Sequence, residues 1–89
     1  MTAKDKSLKN LQEIPGIGKS IANDLFLLGY RSVLDLKNEN PESIYDHLCE
    51  ITNSKQDKCL LYVFRCAVYY ASTSKYEPEK LKWWYWKDK

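Results

Sequence analysis

Two glycines separated by one residue, with a proline before and a lysine after, form the stretch of this chain best suited to chemistry: Pro15-Gly16-Ile17-Gly18-Lys19-Ser20. The chemistry is anion binding. Pro15 lacks a backbone donor and disfavours helical geometry at Ile14, while Gly16 and Gly18 can take positive φ without a Cβ penalty, so a helix reaching Ile14 can turn sharply there. A second helix opening near Lys19 begins with N–H groups that have no intrahelical partner, at the positive end of its dipole. Such an end accepts a phosphate readily. The amides of Gly16, Ile17 and Gly18, with Lys19 and Ser20, are the expected contacts. The same turn can equally join two helices in a domain that binds other proteins, and the stretch alone leaves both readings open.

Positioning the turn falls to the apolar residues around it. Leu11, Ile14, Ile17, Ala22 and Leu25 fall where two short helices press together, and Ala22 is small enough for close approach. The spacing from Leu11 to Leu25 resembles the helix-hairpin-helix motif, matching its proline, its glycines and its alanine. That resemblance implies a hairpin whose amides grip one phosphate of a DNA backbone without reading bases.

Composition narrows the class. With 44% hydrophobic residues and seven Tyr, three Trp and two Phe, the chain can build a packed core and is not a disordered one. Its 89 residues fit one domain with a modest core. No stretch reaches the length of a membrane span, and Met1-Thr2-Ala3-Lys4-Asp5-Lys6 leads into no apolar signal core, so a cytoplasmic protein with no membrane partner is expected. Cys49, Cys59 and Cys66 are odd in number and lack a Cys-x-x-Cys pair, which favours free thiols over a disulfide framework. Together with His47 they match no zinc spacing, so neither metal nor cofactor is expected. Net charge is only +2, yet both ends are basic: residues 1–19 carry four Lys against Asp5 and Glu13, and residues 75–89 carry five Lys against Glu77, Glu79 and Asp88. No Ser/His/Asp order, recognisable acid/base pair or Walker-type loop is present, and a binding module is expected rather than an enzyme.

Along the chain, residues 1–6 read as a frayed polar N-terminus. Residues 7–74 read as a tandem domain, with a first unit over 7–29, a connector over 30–40 and a second unit over 41–74. Ser7 caps a first helix through Ile14, and the second helix runs from near Lys19 to Leu28, with Gly29 as its left-handed terminator. Ser32-Val33-Leu34-Asp35 opens a single connecting turn, Asn40-Pro41 a third helix to about Glu50, and a long apolar helix covers about Lys55 to Ser72. Leu11-Gln12-Glu13-Ile14 recurs as Leu48-Cys49-Glu50-Ile51, which sets the first elbow opposite Thr52-Asn53-Ser54-Lys55. The second elbow lacks glycine, leaving Asn53 to supply a left-handed residue. The expected architecture is all-α: a compact five-helix, SAM-domain-like arrangement of two helix-hairpin-helix units with a short connecting helix, the first unit working and the second structural.

Residues 75–89 form a Trp-rich segment expected to pack on that domain. Glu77-Pro78-Glu79 can open a short helix, and Trp83-Trp84-Tyr85-Trp86 are four aromatics that cannot all point one way. Lys82, Trp83, Trp84, Trp86 and Lys87 are auxiliary candidates on two readings: rings that stack bases beside lysines, or a hydrophobic lid over the long helix. The run Cys59-Leu60-Leu61-Tyr62-Val63-Phe64-Arg65-Cys66-Ala67-Val68-Tyr69-Tyr70, followed by Leu81-Lys82-Trp83-Trp84 and Trp86-Lys87-Asp88, resembles the small bacterial helix-hairpin-helix proteins of the pathogenicity locus family. Some of these carry the label of mitomycin resistance proteins. The resemblance covers residues 8 to 88 and implies the fold and the hairpin, but no activity; Tyr85 departs from it, standing where a polar residue such as Asn is expected. The expected partner is DNA, bound weakly and without sequence specificity. A protein partner or self-association through the aromatic surface is the alternative.

Overall fold

Each α-helix but one begins on a side chain that caps its open backbone. A computed structural model describes residues 2–87; Met1, Asp88 and Lys89, which belong to the terminal segments and, for Asp88, to the family-like run, lie outside the described residues. Helix α1 (Ala3–Leu11) opens on a capping box, with the Asp5 N–H donating to Thr2 Oγ1 at 3.1 Å and the Thr2 N–H donating to the Asp5 carboxylate at 3.3 Å. The first helix thus starts earlier than expected: the chain is helical from Ala3, and Ser7 lies inside α1 and does not cap it. The helix also stops at Leu11, short of Ile14. Glu13 and Ile14 donate to the carbonyls of Asn10 and Leu11 at 3.1 and 3.3 Å, three-residue steps that tighten the chain ahead of Pro15.

Helix α2 (Lys19–Leu27) ends as expected. Tyr30 N–H meets the Leu25 carbonyl and Gly29 N–H the Phe26 carbonyl, both at 3.0 Å, with Gly29 at φ +102°. The connector is one 3-10 turn (Val33–Leu36), held by the Asp35 carboxylate, which accepts from the N–H groups of Arg31 at 2.8 Å and Ser32 at 3.2 Å. Helix α3 (Pro41–Thr52) starts on Asn40 Oδ1, which accepts from Glu42 and Ser43, and ends on Asn53 at φ +51°. Helix α4 (Lys58–Ser72) starts later than Lys55 because Asp57 is its cap, accepting from the Cys59 N–H at 2.8 Å. Two more 3-10 turns, Pro78–Leu81 and Trp83–Trp86, form the C-terminal segment. The regular structure among the described residues is all helical, with four α-helices and three 3-10 turns; the fifth helix expected at the connector is only a 3-10 turn.

Helix α1 packs on α2 and α3 on α4, and α4 also receives the connector and both C-terminal turns. A single core results, in which Leu11, Ile14, Ala22, Leu25, Leu36, Leu48, Phe64 and Ala67 are at most 1% exposed. The radius of gyration, 12.2 Å, is near the roughly 13 Å of a compact 100-residue chain. The internal repeat breaks at one point: Ile14 is 1% exposed and Ile51 48%. Because α1 has ended at Leu11, the turn carries Ile14 inward, whereas α3 continues to Thr52 and keeps Ile51 on its outer side.

Arg65, the lone charge along the middle of α4, ties three elements together. Its Nε and Nη2 each stand 3.0 Å from Glu42 Oε1 on α3, and its Nη1 donates to the Trp86 carbonyl at 2.9 Å. The Trp86 indole N–H in turn donates to the Lys80 carbonyl at 2.9 Å. Replacing Arg65 by Met leaves the Trp86 carbonyl without this partner and is expected to cost about 1–2 kcal/mol. Amide exchange at residues 83–87 should then speed up relative to α1 and α2, which hydrogen-exchange mass spectrometry reads directly. Cys66, on the same helix, is a packing residue: its thiol donates to the Lys80 carbonyl at 3.6 Å, and burial pushes it up to about 11.

Candidate nucleic-acid interface

The elbow between α1 and α2 is built by its own backbone. Gly16 sits at φ +86°, a conformation that side-chain-bearing residues rarely adopt. Ile17 N–H donates to the Ile14 carbonyl at 3.1 Å, and the Ile17 side chain is buried in the core. This corrects one expectation: Ile17 anchors the turn inward, and its amide is already engaged.

The other expected donors are open. Gly16, Gly18, Lys19 and Ser20 are all exposed, and among the described residues their N–H groups meet no protein acceptor. Ile21 N–H, the third of α2, is likewise unmet; reading the sequence missed it, although the rule that a helix leaves its first amides unpaired would have supplied it. Lys19 adds a positive side chain at the helix start.

What distinguishes α2 is the absence of a built-in anion. Helix α1 has Thr2 and Asp5 at its start, α3 has Asn40 and Glu42, and α4 has Asp57. Helix α2 begins on Gly18 at φ −93°, ψ −171°, with no side-chain cap and no acid in its first turn. The Asp57 carboxyl is held below the usual carboxylate range by hydrogen bonding with Cys59, so α4 already stabilises a negative group of the protein's own. Further along α2, burial raises the Asp24 carboxyl above its usual value.

The second elbow spends three of its donors internally. Asn53 and Ser54 N–H groups meet the carbonyls of Glu50 and Cys49 at 3.2 and 3.1 Å, and Gln56 N–H meets Cys49 Sγ at 3.4 Å. The Tyr45 hydroxyl donates to the Gln56 carbonyl and pins the turn to α3.

The C-terminal segment reaches the first elbow. A methyl group added at Gly16 would lie 3.4 Å from Trp83 Cδ1, so the Trp83 indole rests on this glycine. Trp86 turns inward as well, its ring 5.5 Å from that of Tyr69. Trp84 is 56% exposed and meets Trp83 edge-on at 5.7 Å. Side chains three apart eclipse in a 3-10 turn, which puts Trp83 and Trp86 on the inner side and Trp84 outside. Lys82 Nζ stands 6.0 Å from the centre of the Trp84 ring, and Lys87 is exposed.

The remaining candidates are scattered. Cys49 is half-buried, Cys59 exposed and Cys66 buried, all with free thiols, and His47 is exposed. The described residues bring no three metal-ligating side chains together, and no helix among them is long and apolar enough to cross a membrane. A groove of about 390 Å³ between α3, α4 and the last turn shares no residue with the elbow. A family model described as pathogenicity locus (Cdd1) matches residues 4–89. No curated protein and no solved structure matches the chain.

Proposed function

The chain belongs to the pathogenicity locus family, and we propose that it is a non-sequence-specific DNA-binding module that takes a backbone phosphate on the elbow between α1 and α2. The observation that carries the proposal is the elbow and the start of α2, where Gly16, Gly18, Lys19 and Ser20 are exposed, their N–H groups meet no acceptor among the described residues, and no side chain caps the helix. Amides in that arrangement hold a phosphate without reading the bases. On this reading α1 and α2 form a working helix-hairpin-helix unit. Helices α3 and α4 form its degenerate partner in a SAM-like pair, with the Asn53, Ser54 and Gln56 amides of their elbow turned to internal use. The protein acts by binding, not catalysis, without a cofactor, in the bacterial cytoplasm. The proposal does not depend on the mitomycin resistance label of some similar proteins.

The test is a duplex titration across salt concentrations, followed by amide chemical shifts. Two or three phosphate contacts predict a slope of about −2 to −3 for log affinity against log salt. Shifts should concentrate at Gly16, Gly18, Lys19, Ser20 and Ile21 and fade as salt rises. Binding that leaves these amides unmoved overturns the proposal. A protein-interaction module is the second reading, favoured by Leu34 and Leu27, which are 74% and 56% exposed. It gains if self-association maps to those leucines while DNA shifts nothing.

A further inference from the structure

Trp84 has no structural use that its neighbours lack. Trp83 rests on Gly16, Trp86 packs on Tyr69 and bonds the Lys80 carbonyl, and both tie the C-terminal segment to the domain. Trp84 leaves more than half of a large aromatic surface in water, one ring removed from the elbow. Lys82 lies beside its ring, and Glu79 shares with Lys82, Trp84 and Tyr85 a shallow groove of about 230 Å³. Glu79 and Lys82 give that groove one charge of each sign, so it offers a phosphate little net attraction but stays open to a neutral, flat base, while the unpaired elbow amides and Lys19 draw the strand's phosphate.

We infer that Trp84 is a stacking platform for an unpaired base of the same strand whose phosphate sits on the elbow, so the preferred ligand is DNA carrying unpaired nucleotides next to duplex. This rests on the phosphate reading of the elbow. Stacking on Trp84 demands a base that is free of its pair, whereas the elbow amides accept a phosphate from paired and unpaired strands alike.

The experiment compares a blunt-ended linear DNA duplex with the same duplex bearing a single-stranded thymidine tail, using the full chain. The tail should raise the affinity of the unaltered protein about tenfold, the range of one stacked base. Trp84→Ala should erase that gain and leave binding of the blunt duplex unchanged, and Trp84→Phe should keep most of the gain. Because Trp84 is exposed, circular dichroism and thermal melting should show both variants folded. Gly18→Asp, at the elbow, should weaken both ligands alike. Equal binding of blunt and tailed DNA by the unaltered protein, or a gain that survives Trp84→Ala, overturns the inference while the elbow proposal stands. An effect of Trp84→Ala on sedimentation alone makes this face a contact between copies and also overturns it. If the unaltered protein binds neither ligand, the elbow proposal fails and takes the platform with it.

Discussion

Gly18→Asp is expected to lower DNA affinity about tenfold or more and to leave the fold as stable as before. A side chain at Gly18 meets nothing within 4 Å, and its φ of −93° suits any residue. Asp is among the best N-cap residues and exceeds Gly there by only a few tenths of a kcal/mol, so α2 should lose nothing. Asp57 at the start of α4 shows the arrangement that would result, with a carboxylate accepting from a first-turn amide. That carboxylate would occupy the place proposed for phosphate. Like charges 4 Å apart repel by about 1 kcal/mol in bulk water and about 4 kcal/mol near a protein surface, and tenfold in affinity is about 1.4 kcal/mol. Gly18→Ala separates shape from charge and should hold affinity within a few fold. Duplex titration and urea unfolding of the two variants check the expectation. A stable Gly18→Asp protein with unaltered affinity would show that phosphate does not sit at the start of α2.

Phe64→Ala carries the largest expected cost in stability, about 3–5 kcal/mol. Phe64 is fully buried on α4, the helix on which α3, the connector and both C-terminal turns converge. A domain of this size has about 5–15 kcal/mol in all, and each kcal/mol moves its melting temperature by about 4–8 °C. A drop of about 12–40 °C is therefore expected, enough to loosen the elbow and the Trp83 contact with the rest of the fold. Leu34→Ala, at a residue 74% exposed, should stay within about 0.5 kcal/mol. Thermal melts of the two variants test the contrast. Equal effects would mean that α4 is not the centre of the core.

Much of the fold was legible in short stretches because the signals were local. Asn40-Pro41, Gly29 and Asn53 start or end helices through their own side chains or backbone freedom, and each behaves so in the structure. Two helix starts were misread although their signals were also local. Thr2-Ala3-Lys4-Asp5 is a capping box hidden in a polar stretch, and Asp57 outcompetes Lys55 as a helix start because its carboxylate reaches the Cys59 amide. The internal repeat misled for another reason. Matching residue types at Ile14 and Ile51 did not mean matching burial, because that depends on where each preceding helix stops.

The candidate site divides the same way. Gly16, Gly18, Lys19 and Ser20 could be named from spacing, since proline restricts the backbone and glycine frees it whatever surrounds them. The engagement of Ile17 N–H by Ile14 could not, because it depends on how tightly the turn closes. Nor could the meeting of Trp83 with Gly16, or Arg65 joining Glu42 to the Trp86 carbonyl.

By itself the sequence determined that this chain is helical, where its first elbow lies and that α2 starts without an acid, because those properties follow from φ preferences and capping groups within a few residues. Only the tertiary structure decided which tryptophan is left facing water and that the C-terminal segment docks on the elbow. Such outcomes depend on the competition of distant apolar surfaces for one small core, and on the threefold repeat of a 3-10 turn that only docking on α4 orients.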